Sequence, residues 1–188
     1  MPPKNKFSRE QIIEAAFEIA KEEGIDSITI RKVAKNLGSS IAPIYVNFKD
    51  VGELKKDVIS KIYEISNSIL DKQNTGDIFL NIGIASIKFA REYSLIFKEL
   101  MLKGDIYLED YDQKLGNRII EFMKQDKELE IFSYEELKLI LLKMRIFQVG
   151  LSIMVTNESF MKDFSEEKVI QLLKDTGIDI INGTKFRK

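Results

Sequence analysis

Apolar residues recur at intervals of three and four along nearly the whole chain. No alternating run longer than a few residues interrupts them, so the pattern predicts an all-α protein. In "SREQIIEAAFEIAKEEG" the inner positions are Ile12, Ala15, Ala16, Ile19 and Ala20, with Ser8 placed as N-cap and Gly24 as terminator. A shorter helix, "IRKVAKNLG", follows Thr29 as cap, turns Ile30, Val33, Ala34 and Leu37 inward, and closes at Gly38. A third, very short one is expected over about 42–48. Asp50 caps a long helix reaching about residue 75, striped by Leu54, Val58, Ile62, Ile65 and Ile69. Asp77 caps "IFLNIGIASIKFAREY" and Ser94 caps "LIFKELMLKG". Helices over roughly 109–124, 134–156 and, after Ser165, 166–182 complete the pattern at about nine. The expected division is a compact trio at 1–50 and a larger helical domain at 51–188.

The stretch "IRKVAKNLGSSIAPIYVNFKD" sets two short helices around Gly38-Ser39-Ser40, the layout of a helix-turn-helix. Gly38 supplies the left-handed conformation that ends the first, and Ser40 can cap the second. Pro43 would cost about 3 kcal/mol inside a helix but is tolerated in its first turn, which fixes the start near Ala42. In such a motif the leading end of the second helix faces base edges in the major groove. Ile44 and Phe48, four apart, lock the helix inward, leaving Tyr45 and Asn47 outside the stripe to donate to phosphate oxygens, with Lys49 adding charge. Arg31 and Lys32 flank the same groove, and Lys4 and Lys6 lie on an arm that could reach the DNA backbone or minor groove.

Composition narrows the chemistry. Of 188 residues 44% are hydrophobic and 31% charged, as in a folded globular chain. No apolar run reaches the roughly 18 residues of a membrane span, and "MPPKNKFSREQ" has no apolar segment behind it, so a cytoplasmic protein without signal peptide is expected. With no Cys and no His, thiolate and imidazole chemistry is excluded, and neither an enzyme nor a cofactor or metal site is expected. The net charge of −1 argues against nucleic acid, yet between residues 31 and 56 six basic side chains face only Asp50 and Glu53, a local excess of four positive charges.

"TIRKVAKNLGSSIAPIYVNFKDVGEL" resembles the DNA-binding signature of the tetracycline-repressor-like (TetR) family of bacterial regulators, through Thr29, Ile30, Val33, Ala34, Gly38, Ile44, Tyr45, Phe48, Glu53 and Leu54. The close match covers about residues 8–60; "FAREYSLIFKELML" and "FQVGLSIMV" are similar to a weaker consensus of one family branch. The resemblance implies a ligand-responsive, homodimeric transcription regulator, usually a repressor released from a palindromic double-stranded DNA operator. Ligand binding among the middle helices would move the helix that begins after Asp50. The implied DNA contacts are Thr29, Arg31, Ser40, Ile41, Ala42, Pro43, Tyr45, Asn47, Lys49 and Lys55. Ser40, Ile41 and Ala42 offer little hydrogen bonding, so readout leans on thymine methyls. Ser39 stands where the family usually has an apolar residue, and Val51-Gly52 replaces a usual charged pair. These departures motivate an alternative: a member with a weakened DNA module, acting through protein contacts as a co-activator or small-molecule binder.

The helix of 134–156 is apolar nearly all round, as expected of one buried centrally or shared with a partner. The last helix is amphipathic. In the resembling family these two form a four-helix dimer interface, which here implies Gly150, Leu151, Val169, Leu172, Leu173, Thr176 and Ile180. An apolar ligand would be lined by Ile87, Leu100, Met101, Tyr111, Phe122, Met144, Phe147 and Met154, with Arg118, Arg145 and Gln148 as polar anchors.

Overall fold

The computed structural model describes residues 7–102, 116–117, 119–157, 159, 162 and 164–187. Among them the chain is all-α. Its helices are α1 (Arg9–Glu23), α2 (Ile30–Asn36), α3 (Ala42–Asn47), α4 (Val51–Asp71), α5 (Ile78–Glu92), α6 (Ser94–Leu102), α7 (Tyr134–Met154) and α8 (Glu166–Lys185). Residues 119–123 are also helical, the described end of the helix expected over 109–124.

The helix starts follow the capping chemistry. Ser8 accepts the Gln11 N–H while the Gln11 side chain accepts the Ser8 N–H at 2.9 Å, a capping box satisfying two orphan donors. Ser133 and Glu136 repeat that box at α7, and Thr29 and Ser165 cap α2 and α8. Asp77 receives the N–H groups of Phe79 and Leu80 at 2.8 and 3.1 Å. At α3 the cap differs from expectation: Ile41 occupies the N-cap position in helical geometry, without a side-chain bond, so Ser40 does not cap the helix.

The residues divide into two compact units. The first comprises 1–68 with 93–102, larger than the helical trio alone. Its core includes Ile12, Ala16, Val33, Ile44, Leu54, Val58 and Ile96, all fully buried. Segment 93–102 belongs to it through named contacts: the Tyr93 ring lies 5.9 Å from that of Phe17, and the Glu99 carboxylate accepts the N–H of Ile25. Gly24 adopts φ +90°, and a Cβ there would fall 2.7 Å from a Glu99 oxygen.

The second unit comprises 69–92 and 103–188. One apolar cluster joins Ile119, Ile120 and Met123 to Leu129, Phe132, Leu137 and Ile140. Another joins Ile87 of α5 to Leu151, Val155 and Val169. Ser86 and the fully buried Ser152 pair their hydroxyls at 3.1 Å between α5 and α7, so neither is stranded. At Gly83 the packing of α5 on α8 is closest, since a Cβ would approach Leu173 Cδ2 to 2.2 Å.

Gly83→Ala therefore tests two opposed effects, a helix-propensity gain of about 1 kcal/mol and an overpacking cost of about 1–3 kcal/mol. The substitution is expected to lower the stability of the native chain in urea titrations and to raise it when Leu173→Ala has already cleared the space.

Candidate nucleic-acid interface

The site is built on α3, a helix of six residues, too short to persist unaided. Gly38 at φ +60° turns the chain out of α2, and the Ser39 N–H donates to Ala34 at 2.9 Å. Pro43 sits in the first turn of α3, where no N–H is needed. Ile44 and Phe48 are 0% and 1% exposed and seat the helix on the core. Ser39 Oγ is buried and has no hydrogen-bond partner among the described residues.

The far end of α3 is fastened by Arg9. Its guanidinium donates to the backbone carbonyl of Asn47 at 2.5 Å, to Asp57 at 2.7 Å and to Glu53 at 2.8 Å, and lies 4.1 Å above the centre of the Phe48 ring. One side chain at the start of α1 thus ties the last carbonyls of α3 to the first turns of α4. Hydrogen bonds donated to Asp57 first, and to Glu53 next, raise the arginine above its usual pKa. Glu53 also accepts the Lys49 N–H at 2.8 Å; that bond, followed by the one from Arg9, holds its carboxyl below the ordinary 4.5. Asp50 caps α4 by accepting the Glu53 N–H at 2.9 Å.

On the outer side, Ser40, Ile41, Ala42 and Tyr45 are exposed, and Pro43 is half-buried. Thr29 is exposed but its hydroxyl accepts the Lys32 N–H at 3.2 Å. Arg31 and Lys49 are exposed, and among the described residues no acid pairs with them; the same holds for Lys35 and Lys56. Two expected contacts are drawn inward. Asn47 gives its amide N–H to the Pro43 carbonyl at 2.9 Å, and Lys55, only 18% exposed in its side chain, lies 3.7 Å from Asp26. Lys32 is held by Glu23 at 2.6 Å. Lys4 and Lys6 lie outside the described residues.

Sequence reasoning missed Val46, which is 64% exposed on α3 and shares a helical face with Ala42, four residues earlier. It also missed Arg9 and Asp57. An arginine at a helix start has no local signal for partners 38 to 48 residues away.

The expected pocket residues that are described belong to both units. Leu100 and Met101 belong to the first unit, with Leu100 buried there. Ile87 and Phe147 join one cluster of the second unit and Met144 packs against the other. Gln148 is half-buried, Arg145 is exposed, and Phe122 and Met154 are 43% and 48% exposed. Tyr111 and Arg118 lie outside the described residues.

Of the expected dimer residues, Leu151 and Val169 are buried within their own chain. Leu173 packs on Gly83 and Ile180 against the cluster around Ile119. Thr176 is half-buried, while Leu172 and Gly150 are exposed, and a Cβ on Gly150 would meet nothing within 4 Å. The open apolar face of α7 instead runs through Leu139, Leu142, Ile146 and Ile153, 47%, 52%, 66% and 39% exposed.

HTH-type transcriptional regulators of Staphylococcus aureus strains are 31% identical to the chain over 93 residues, which is 50% of this chain and 49% of theirs. The chain thus matches over about half the length of these curated relatives. A transcriptional regulator from Rhodococcus sp. Rha1 superposes with a TM-score of 0.68 at 16% identity, covering 94% of this chain and 97% of that one. A TetR variant of Acinetobacter baumannii, solved in complex with minocycline, gives 0.57 at 18% identity, with 96% and 97% covered. No family model matches the chain. The resemblance drawn from residues 8–60 therefore holds in fold: the chain has the all-α architecture of the TetR-family transcription regulators. Among the described residues no helix is long and apolar enough to cross a membrane.

The lowered Glu53 carboxyl makes the clamp pH-dependent in one direction. Its contribution to stability is present above about pH 4.5 and is lost as the pH falls through the depressed folded value. Urea titrations of the native chain and Glu53→Gln are expected to differ most near pH 7 and to converge towards pH 3; a gap that widens on acidification would contradict the assignment.

Proposed function

We propose that the chain is a DNA-binding transcription regulator that acts as a homodimer on a palindromic operator, and that a small apolar ligand releases it, making it a repressor. The observation that carries this reading is the exposed face of α3, held in place by Arg9, in a unit where Arg31, Lys35 and Lys49 are exposed with no acidic partner among the described residues. Ser40, Ile41, Ala42 and Tyr45 meet the groove, with the Tyr45 hydroxyl and Lys49 donating to phosphate oxygens. Asn47 and Lys55 are left out, because their polar groups are already engaged.

The dimer reading is supported by α7. Leu139, Leu142, Ile146, Gly150 and Ile153 recur at three, four, four and three residues and so share one side of the helix. A bare glycine amid exposed branched chains lets a second helix approach closely. Two-fold pairing would present two copies of α3 to one operator. Ligand and DNA would then oppose each other through a coupling free energy of about 1–3 kcal/mol. The A. baumannii neighbour was solved with a small molecule, minocycline, which supports the ligand-responsive part of the reading, and the apolar clusters of the second unit suit an apolar ligand.

Selection from a random duplex pool with the purified, ligand-free chain is expected to enrich a palindrome. Its affinity should fall steeply with salt and drop at least tenfold in Tyr45→Ala. Absence of enrichment even at low salt, from a folded dimer, would favour the weakened-module alternative. Ile146→Glu buries a charge in the proposed interface and is expected to give monomers in sedimentation velocity, with the melting of the first unit retained; an unchanged dimer would exclude this face.

A further inference from the structure

The outward face of α3 carries almost nothing that reads a base by hydrogen bonding. Ala42, Tyr45 and Val46 span roughly 100° of the helix circumference on the side turned from the buried Ile44 and Phe48, and Ile41 stands exposed at the N-cap position just before the helix. Ile41, Tyr45 and Val46 are 46%, 53% and 64% exposed. Among these four side chains the Tyr45 hydroxyl is the one hydrogen-bonding group, and it stands at the tip of a ring. The amide best suited to adenine, that of Asn47, donates to the Pro43 carbonyl. Ser40 adds a single hydroxyl before the helix.

Exposed branched aliphatic side chains gain only when they meet an apolar surface. Within the major groove that surface is the C5-methyl group, carried by thymine and, at the same place on the ring, by 5-methylcytosine. Local charge chooses the occupant. Arg31 and Lys35 of the preceding helix and Lys49 just after α3 are exposed without acidic partners among the described residues, which suits a polyanion.

We propose that Ile41 and Val46 make α3 a reader of pyrimidine C5-methyl groups, so that operator choice rests on methyl contacts more than on base donors and acceptors. The inference rests on the DNA-binding reading above and adds the chemical class of sequence recognised, with Val46 as a specificity-determining residue.

The test uses the full chain and the duplex it selects, with affinities from fluorescence anisotropy at one fixed salt concentration. Deoxyuridine, which lacks the methyl, replaces thymine one position at a time. At the positions facing Ile41 and Val46 each replacement is expected to weaken binding about fourfold, the value of one buried methyl. Val46→Ala and Ile41→Ala should bind the thymine duplex as weakly as the native chain binds the deoxyuridine duplex, with no further loss when both changes are combined. Both side chains are exposed, so unchanged melting is the control for folding.

A parallel arm compares cytosine with 5-methylcytosine at the same positions. Tighter binding of the methylated base makes it a second ligand of the reader, whereas equal binding confines the reader to thymine. Equal affinity for thymine and deoxyuridine duplexes at every position, in a chain that still binds its selected site, would overturn this inference alone. Failure to bind any duplex at low salt would remove the DNA-binding reading with it.

Discussion

Burial of Ile44 and Phe48 is the constraint on which the rest of the first unit's chemistry depends. A six-residue helix has too few internal hydrogen bonds to repay its own nucleation, so α3 exists only because two large side chains four residues apart seat it on the core. Once they are buried, the helix has no remaining freedom about its axis, and the opposite side chains are presented to solvent whatever their polarity. Arg9 finishes the same task from above. It covers the Phe48 ring and makes three simultaneous bonds, to the end of α3 and to two acids of α4.

That fastening draws on the same polar groups that a ligand could use. Glu53, Asp57, Asn47, Lys32 and Lys55 are all committed to neighbours within the unit, and each commitment removes a charge or a donor from the surface. What remains outside is a small set of cations without acidic partners among the described residues, and an apolar helix face. An overall charge of −1 conceals this, because the acids that balance the ledger are mostly elsewhere or already paired. Local charge, after internal pairing, is the quantity that bears on a polyanionic partner.

The helices were legible in the sequence wherever a cap and a three-four repeat coincide, as at Ser8, Thr29, Asp77 and Ser165. The turn at Gly38 and the start of α3 were equally plain, because glycine and proline restrict the backbone locally. Less legible was anything that depends on the direction of a side chain between elements. The resemblance implied Leu151 and Val169 as interface residues, and in this chain they close a core with Ile87. The stripe from Leu139 to Ile153 was hidden because α7 is apolar on nearly every side, and periodicity cannot say which of two apolar faces stays open. Lys55 looked free for the same reason: its partner Asp26 lies in a different element, 29 residues away.

Glu99 has a consequence for how this architecture can be rearranged. Its carboxylate caps the backbone at Ile25, while Tyr93 covers Phe17, so the amino-terminal unit is completed by a strip of chain from 93 to 102. The unit is not a cassette. A graft that moved the first 50 or 68 residues onto another scaffold would leave a bare N–H beside Gly24 and an uncovered ring, and the recipient would need a segment with an aromatic and a carboxylate six residues apart to replace them. Recombination between such proteins is thereby limited to crossovers that carry both pieces together.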